Sequence, residues 1–292
     1  AAGCERILVG ATEHDAVREA AKATGLPVEV WPVDANGVAD LGWLAERLAA
    51  GPRALVCLML ANNETGVIQP VAETAALVRE AGGWLHVDAV QAAGKIAIDF
   101  NALGADTLAL SAHKLGGPQG VGALAAGPRA TLSRRLHGGG QERGRRAGTE
   151  NLPGIAGFGA AARAARAGLT SLQAQAAWRD AAAETMRAHG VILGEGAPRL
   201  PQTLCVAAPG FGSELQVMAL DLAGVMVSAG AACSSGKVKP SHVALAMGRA
   251  DLAPCVLRLS GGWATNEDDW TRAAQAWLEA RARHAARRRE VA

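Results

Sequence analysis

Leu110-Ser111-Ala112-His113-Lys114-Leu115-Gly116-Gly117-Pro118 is the stretch on which the reading of this chain turns. The run before it, 106–110, looks like a short buried strand. It delivers a hydroxyl, an imidazole and an amine in quick succession, then breaks into a Gly-Gly-Pro loop. A lysine at the mouth of a buried strand is costly unless it is paired, hydrated or used covalently. Taken alone, Lys114 could equally be a loop residue that reaches water, so its surroundings must decide.

Outward from that stretch, apolar runs alternate with helix-periodic segments. Residues 7–9, 28–33, 55–60, 84–90, 107–110 and 121–125 read as strands, with helices over 14–24, 41–50 and 71–81. Continuous apolar strands separated by helices predict an α/β fold, a mostly parallel sheet covered on both faces. Ligands of such sheets sit beyond the carboxyl ends of the strands, where Asn62-Asn63, Asp88 and Ser111 to Lys114 fall. From residue 152 the pattern changes to long Ala/Arg helices (152–167 and 169–189), then short strands (203–207, 225–228, 256–259), a Gly-rich loop and a last helix over 267–288. We therefore expect a large domain over 1–168 and a smaller α+β domain over 169–292.

Composition narrows the classes. The 292 residues are 50% hydrophobic, enough for a sizeable core, and a net charge of +2 gives no reason to expect nucleic acid or a membrane surface as partner. No apolar run is long enough to span a bilayer. The five cysteines (Cys4, Cys57, Cys205, Cys233, Cys255) are odd in number and lack metal-ligand spacing, which suggests free thiols in a reducing cytoplasm.

Asp88 closes Trp84-Leu85-His86-Val87-Asp88-Ala89-Val90-Gln91. A carboxylate ending a buried strand needs a partner. It could cap a helix, form a buried salt bridge, or keep a heterocyclic nitrogen protonated, as in the Asp–pyridinium pair of pyridoxal phosphate (PLP) sites. His86-Val87-Asp88-Ala89-x-Gln91 followed by Ser111-Ala112-His113-Lys114 resembles the class V aminotransferase group of fold-type I PLP enzymes. More narrowly, it is similar to the cysteine desulfurases of the NifS/IscS type. Thr12-Glu13-His14, Asn62-Asn63-Glu64-Thr65-Gly66, the segment from Gly138 to Thr149, Ser228-Ala229-Gly230-Ala231-Ala232-Cys233-Ser234-Ser235-Gly236 and Leu257-Arg258-Leu259-Ser260 extend the likeness across nearly the whole chain.

The resemblance implies a role for each matching position. Lys114 would hold PLP as a Schiff base and move the substrate α-proton, and Asp88 would pair with the pyridine nitrogen. Gln91 would bond the phenolic oxygen, His14 would lie against the ring, and Ser111 and His113 would bind the phosphate. Thr149 would reach the phosphate site of a neighbouring subunit, implying a homodimer. Asn63 and Arg258 would hold the carboxylate of L-cysteine, a task suited to the planar guanidinium fork. Read without the resemblance, His14 could be an ordinary first-turn helix residue, Asn63 a turn cap and Arg258 a structural ion pair.

Cys233 lies among Gly230, Ala231, Ala232, Ser234, Ser235 and Gly236, small residues that cannot bury it, and so reads as an accessible sulfur-accepting nucleophile. The implied reaction converts L-cysteine to L-alanine and leaves a persulfide for a sulfur acceptor or iron–sulfur scaffold protein. A selenocysteine lyase, another class V lyase, or a truncated inactive paralogue acting as a binding protein are the competing readings. The family's early Gly/Thr phosphate-binding turn has no counterpart before Thr12, so an N-terminal portion is expected to be missing.

Overall fold

Six short apolar segments, the first four each separated from the next by a helix-forming stretch, build the first sheet. The computed structural model describes residues 3–230 and 239–291. Strands β1 (Arg6–Gly10), β2 (Val28–Trp31), β3 (Ala54–Met59), β4 (Trp84–Asp88), β5 (Thr107–Ser111) and β6 (Gly122–Ala126) lie in the order β2-β1-β3-β4-β5-β6. All neighbours are parallel except β5 and β6, which are antiparallel. Strand β1 is buried at every position, as expected where helices cover both faces. Helices α1 (Asp15–Lys22), α2 (Leu41–Ala50) and α3 (Val71–Glu80) connect these strands, with a short α4 (Phe100–Leu103) before β5. Asp40 caps α2 and Asp99 caps α4 through side-chain oxygens that accept from backbone N–H groups one turn on.

The described residues form two compact units. The first comprises 1–32, 40–60 and 69–169; the second comprises 33–39, 61–68 and 170–292. Two short early segments thus belong with the later chain, where sequence order alone groups them with the first half. The reason is backbone pairing: Ile68 N–H donates to Pro198 O at 2.8 Å and Leu200 N–H to Gly66 O at 2.8 Å. Gly66 has φ +75, and a Cβ there would sit 2.9 Å from Thr203 Cβ, so this turn admits no side chain.

The first unit also holds α5 (Leu152–Ala167), capped by Asn151. The second unit holds α7 (Gln175–Arg187), a sheet of β7 (Val191–Ile192), β8 (Thr203–Ala207) and β9 (Val256–Ser260), and helices α8 (Ser213–Asp221), α9 (His242–Ala246) and α10 (Glu267–Val291). A short α6 (Leu169–Gln173) straddles the divide. Met186, Leu204, Val206, Leu220, Leu257, Trp270 and Trp277 belong to the core of the second unit.

Three expectations need correction. The helix over 169–189 breaks into α6 and α7 at Ala174, whose N–H turns back to Ser171 O. The strand over 225–228 reduces to one antiparallel bridge between Ser228 and Arg258. Helix α8, absent from the sequence reading, occupies Ser213–Asp221.

Candidate functional site

The carboxyl edge of the large sheet gathers the chemistry-bearing residues of the first unit. Strand β4 ends at Asp88, which is half-buried. Val90 N–H donates to its Oδ1 at 2.9 Å, and Oδ2 accepts no hydrogen bond from the described residues. Next door β5 ends at Ser111, and the chain tightens into a 3-10 turn, Ala112–Leu115, that presents His113 and Lys114 to solvent. Ser111 Oγ and His113 Nδ1 are 2.8 Å apart. The Lys114 ammonium makes no hydrogen bond among the described residues. The turn stops at Gly116, whose φ of +83 is the left-handed end conformation that favours glycine. Gln91 lies half-buried in the turn after β4. Asp88, Gln91, Ser111, His113 and Lys114 therefore come from two neighbouring strand ends.

Two neighbours frame this edge. His86 points to the same face of β4 as Asp88, two residues on; its Nδ1 meets Thr107 Oγ1 at 2.9 Å, and burial holds its pKa below the ordinary value. Past the end of β1, Glu13 is wholly buried and accepts from Met59 N–H through Oε1. Met59 is the β3 residue in register with Asp88. Burial pushes the Glu13 carboxyl up to about 8, the nearby Asp88 charge adding to the rise and the Met59 hydrogen bond opposing it. His14 is the N-cap of α1: its Nδ1 accepts from Ala16 N–H at 3.1 Å. Thr149 is exposed just before α5 and hydrogen-bonds none of these residues.

Asn63 and Arg258 meet in the second unit. Arg258, on β9, donates from one terminal nitrogen to Asn63 O at 2.7 Å across 195 residues of sequence. Its backbone exchanges hydrogen bonds with Ser228 at 2.7 and 3.1 Å. Arg258 Nε and Asn63 Oδ1 are both buried without a hydrogen-bond partner among the described residues. Buried polar groups are almost always paired, so an unspent donor on Arg258 and an unspent acceptor on Asn63 are exceptions that call for an explanation. Beside them Ser241 Oγ donates to Glu64 Oε2 at 2.5 Å and accepts from Ala244 N–H at 3.0 Å, capping α9. Asn62 Oδ1 accepts from the N–H groups of Glu64 and Thr65, both at 2.9 Å, which folds the Asn62 to Gly66 turn on itself.

Cys4, Cys57, Cys205 and Cys255 are all buried, and burial pushes each thiol up. These four are held as neutral thiols. Cys233, the fifth, lies outside the described residues. No group of three metal-ligating side chains occurs among the described residues, nor is any described helix long and apolar enough to cross a membrane.

The model of the Aminotransferase class-V family matches residues 3–272. The chain belongs to the class-V aminotransferases. It is 45% identical over 249 residues to a cysteine desulfurase of Cereibacter sphaeroides, covering 82% of this chain and 63% of that protein. A cysteine desulfurase of Bradyrhizobium diazoefficiens is 43% identical, with 84% of this chain and 64% of that protein covered. The chain thus spans just under two thirds of the length of these relatives. Among solved structures, a NifS-like protein from Rickettsia africae superposes with a TM-score of 0.86 at 29% identity, over 94% of this chain and 75% of that one. A second NifS-like protein gives 0.84 at 32% identity, over 94% and 74%. This class-V aminotransferase therefore has the fold-type I architecture of a family of PLP enzymes.

Sequence reasoning gave no role to Glu13, Glu64, Lys95 or Ser241. Glu13 and Glu64 stood inside quoted motifs, so their position was visible; their partners, 46 and 177 residues away, were not.

Proposed function

We propose that this chain binds PLP and acts as a cysteine desulfurase, converting L-cysteine to L-alanine and transferring the sulfur to Cys233 as a persulfide. The observation that carries the reading is the strand-end array of Asp88, Ser111, His113 and Lys114, in a chain 45% identical to a cysteine desulfurase. The donor set suits PLP: a carboxylate with an unspent oxygen for a pyridinium, an unbonded amine for an aldehyde, and a hydroxyl–imidazole pair for a phosphate. When bound, PLP supplies an electron sink conjugated to the substrate Cα.

The chain's own residues divide the remaining work. Lys114 would hold the cofactor through its Nζ and would carry the Cα proton, a role open to an exposed amine with no competing hydrogen bond among the described residues. Asp88 would keep the ring nitrogen protonated, Gln91 would bond the phenolic oxygen and His14 would lie against the ring. Ser111 and His113 would hold the phosphate, and Thr149 would serve the phosphate of a second copy in a homodimer. Arg258 Nε, buried and unspent, offers the substrate carboxylate a charge-assisted hydrogen bond, with Asn63 beside it. The Cys233 thiolate attacks Sγ of the substrate. The S–S bond forms as the Cβ–Sγ bond breaks, its electron pair goes to carbon, and protonation completes alanine. The sum is cysteine plus thiol giving alanine plus persulfide, with no external oxidant. The persulfide then passes to a sulfur acceptor such as an iron–sulfur scaffold protein. Four buried neutral thiols suit a reducing cytoplasm.

The test is a spectrum and a product assay on the protein incubated with PLP. A visible band lost on borohydride treatment and never formed by Lys114→Ala, with alanine released from L-cysteine, supports the reading. A protein that shows no such band and releases no alanine refutes it.

A further inference from the structure

A second lysine lies beside the first. Lys95 follows the turn that leaves β4, and its Nζ donates to the backbone oxygens of Ala93, at 3.3 Å, and of Lys114. The carbonyls at the end of a short helix lack partners within it. In the 3-10 turn the N–H groups of Gly116 and Gly117 both return to Ala112 O, so neither serves the Lys114 carbonyl. Lys95 supplies that donor from the neighbouring loop.

The loop that carries Lys95 is the one that carries Asp88 and Gln91. Ala92 and Ala93 N–H groups donate to Ala89 O at 3.1 and 2.9 Å, and Ile96 N–H to Ala92 O at 3.1 Å, so 89–96 is a tight, internally bonded unit. Gly94, at φ +73, leaves room for α5: a Cβ there would lie 3.0 Å from Ala165 Cβ. Gly117, on the lysine's side, would lie 3.2 Å from Ala161 Cβ in the same way. Both loops thus rest on one face of α5, and the Lys95 ammonium bonds one to the other. Burial, then the Lys114 charge, lowers the Lys95 pKa to about 8.

We infer that Lys95 is a positioning residue that ties the β4 loop bearing Asp88 and Gln91 to the turn bearing Lys114, and so fixes where the reacting amine stands relative to the carboxylate. The inference rests on the proposed role of Lys114. A small displacement of a reacting group costs rate without unfolding a protein. Lys95 acts through the Lys114 carbonyl and not on the substrate or cofactor itself.

Three variants test it: Lys95→Met keeps length without the donor, Lys95→Arg keeps donor and charge, and Lys95→Gln keeps polarity one bond shorter. Borohydride trapping followed by peptide mass analysis reads the rate at which PLP becomes linked to Lys114, independently of turnover. Lys95→Met is expected to slow linkage and lower kcat roughly tenfold or more, with KM for L-cysteine near that of the unaltered protein, and Lys95→Arg to restore most of both. If Lys95→Met fails to fold, Lys95→Gln is expected to show the same slowing. Linkage and kcat unchanged in the folded variant overturn the inference, as does Lys95→Arg that is no better than Lys95→Met. Unaltered protein that never links PLP to Lys114 refutes the proposed function instead, so the two failures are distinct.

Discussion

At the carboxyl edge of the large sheet, Asp88, Ser111, His113 and Lys114 reach the surface from two adjacent strands, each within a few residues of a β-strand end. Around Asn63, in the second unit, Glu64, Ser241 and Arg258 come from segments as much as 195 residues apart, and Glu64 and Ser241 are buried. The first cluster is local and open: its side chains contribute little to folding and are free for chemistry. The second is long-range and closed: the same bond that presents Arg258 also stitches the 61–68 turn to β9 within the second unit. Substitutions should therefore separate activity from stability in the first cluster and couple them in the second.

The sharpest test of that contrast is Asp88→Asn. Asn can still accept from Val90 N–H, so thermal stability should hardly move, whereas loss of the ring-nitrogen partner should lower the desulfurase rate roughly a thousandfold while PLP remains bound. A fall in melting temperature as large as that of any core variant would break the contrast. Arg258→Ala should show the coupled behaviour. KM for L-cysteine should rise about a hundredfold, and urea melts should show a loss of about 1–3 kcal/mol, because Asn63 O loses its donor. Arg258→Lys should recover stability better than KM, since an ammonium cannot reproduce the guanidinium fork.

Glu13 sharpens the comparison through pH. Unfolded, its carboxyl loses the proton near its ordinary value of 4.5; folded, it keeps the proton until about 8. Across that window the native state holds the extra proton, so this group makes stability fall as pH rises, by at most about 1.4 kcal/mol per pH unit. Glu13→Gln should remove that slope, which urea melts of both proteins at about pH 5 and about pH 8 would reveal. Parallel losses in the two proteins would mean the carboxyl is ionised throughout. Smallest of all, Gly116→Ala should cost about 1 kcal/mol for its left-handed backbone and slow linkage at Lys114, a change readable by melting and borohydride trapping together.

What was legible in the sequence follows the same division. Strand β5 and the motif after it are contiguous, so the apolar run and the Ser-Ala-His-Lys ending could be read together. Strand and helix alternation located all six strands of the large sheet; in β1 and β3 burial on both faces leaves continuous apolar runs, while β6, exposed along most of its length, shows only as a short Ala/Leu run after the Gly-rich loop. Helix α8 escaped because its pattern is inverted: Leu215 and Met218 are exposed while Ser213 and Gln216 are buried, Gln216 bonding Phe211 O, Cys255 O and Trp277 Nε1–H. Hydrophobic periodicity cannot find a helix that buries its amide. The segment 225–228 reads as a strand because Val225, Met226 and Val227 are apolar, yet it gains one bridge among the described residues, Ser228 to Arg258. The pairing of Arg258 with Asn63, like that of Ser241 with Glu64, depends on tertiary contacts that no local pattern encodes.

The protein loaded with PLP is given a single turnover's worth of L-cysteine, and its cysteine-containing peptides are weighed without reduction while alanine is counted. The account predicts one added sulfur atom on the peptide carrying Cys233, in step with the alanine formed, and none on the peptides carrying Cys4, Cys57, Cys205 or Cys255. Alanine without sulfur on Cys233, or sulfur on a buried cysteine instead, would contradict it.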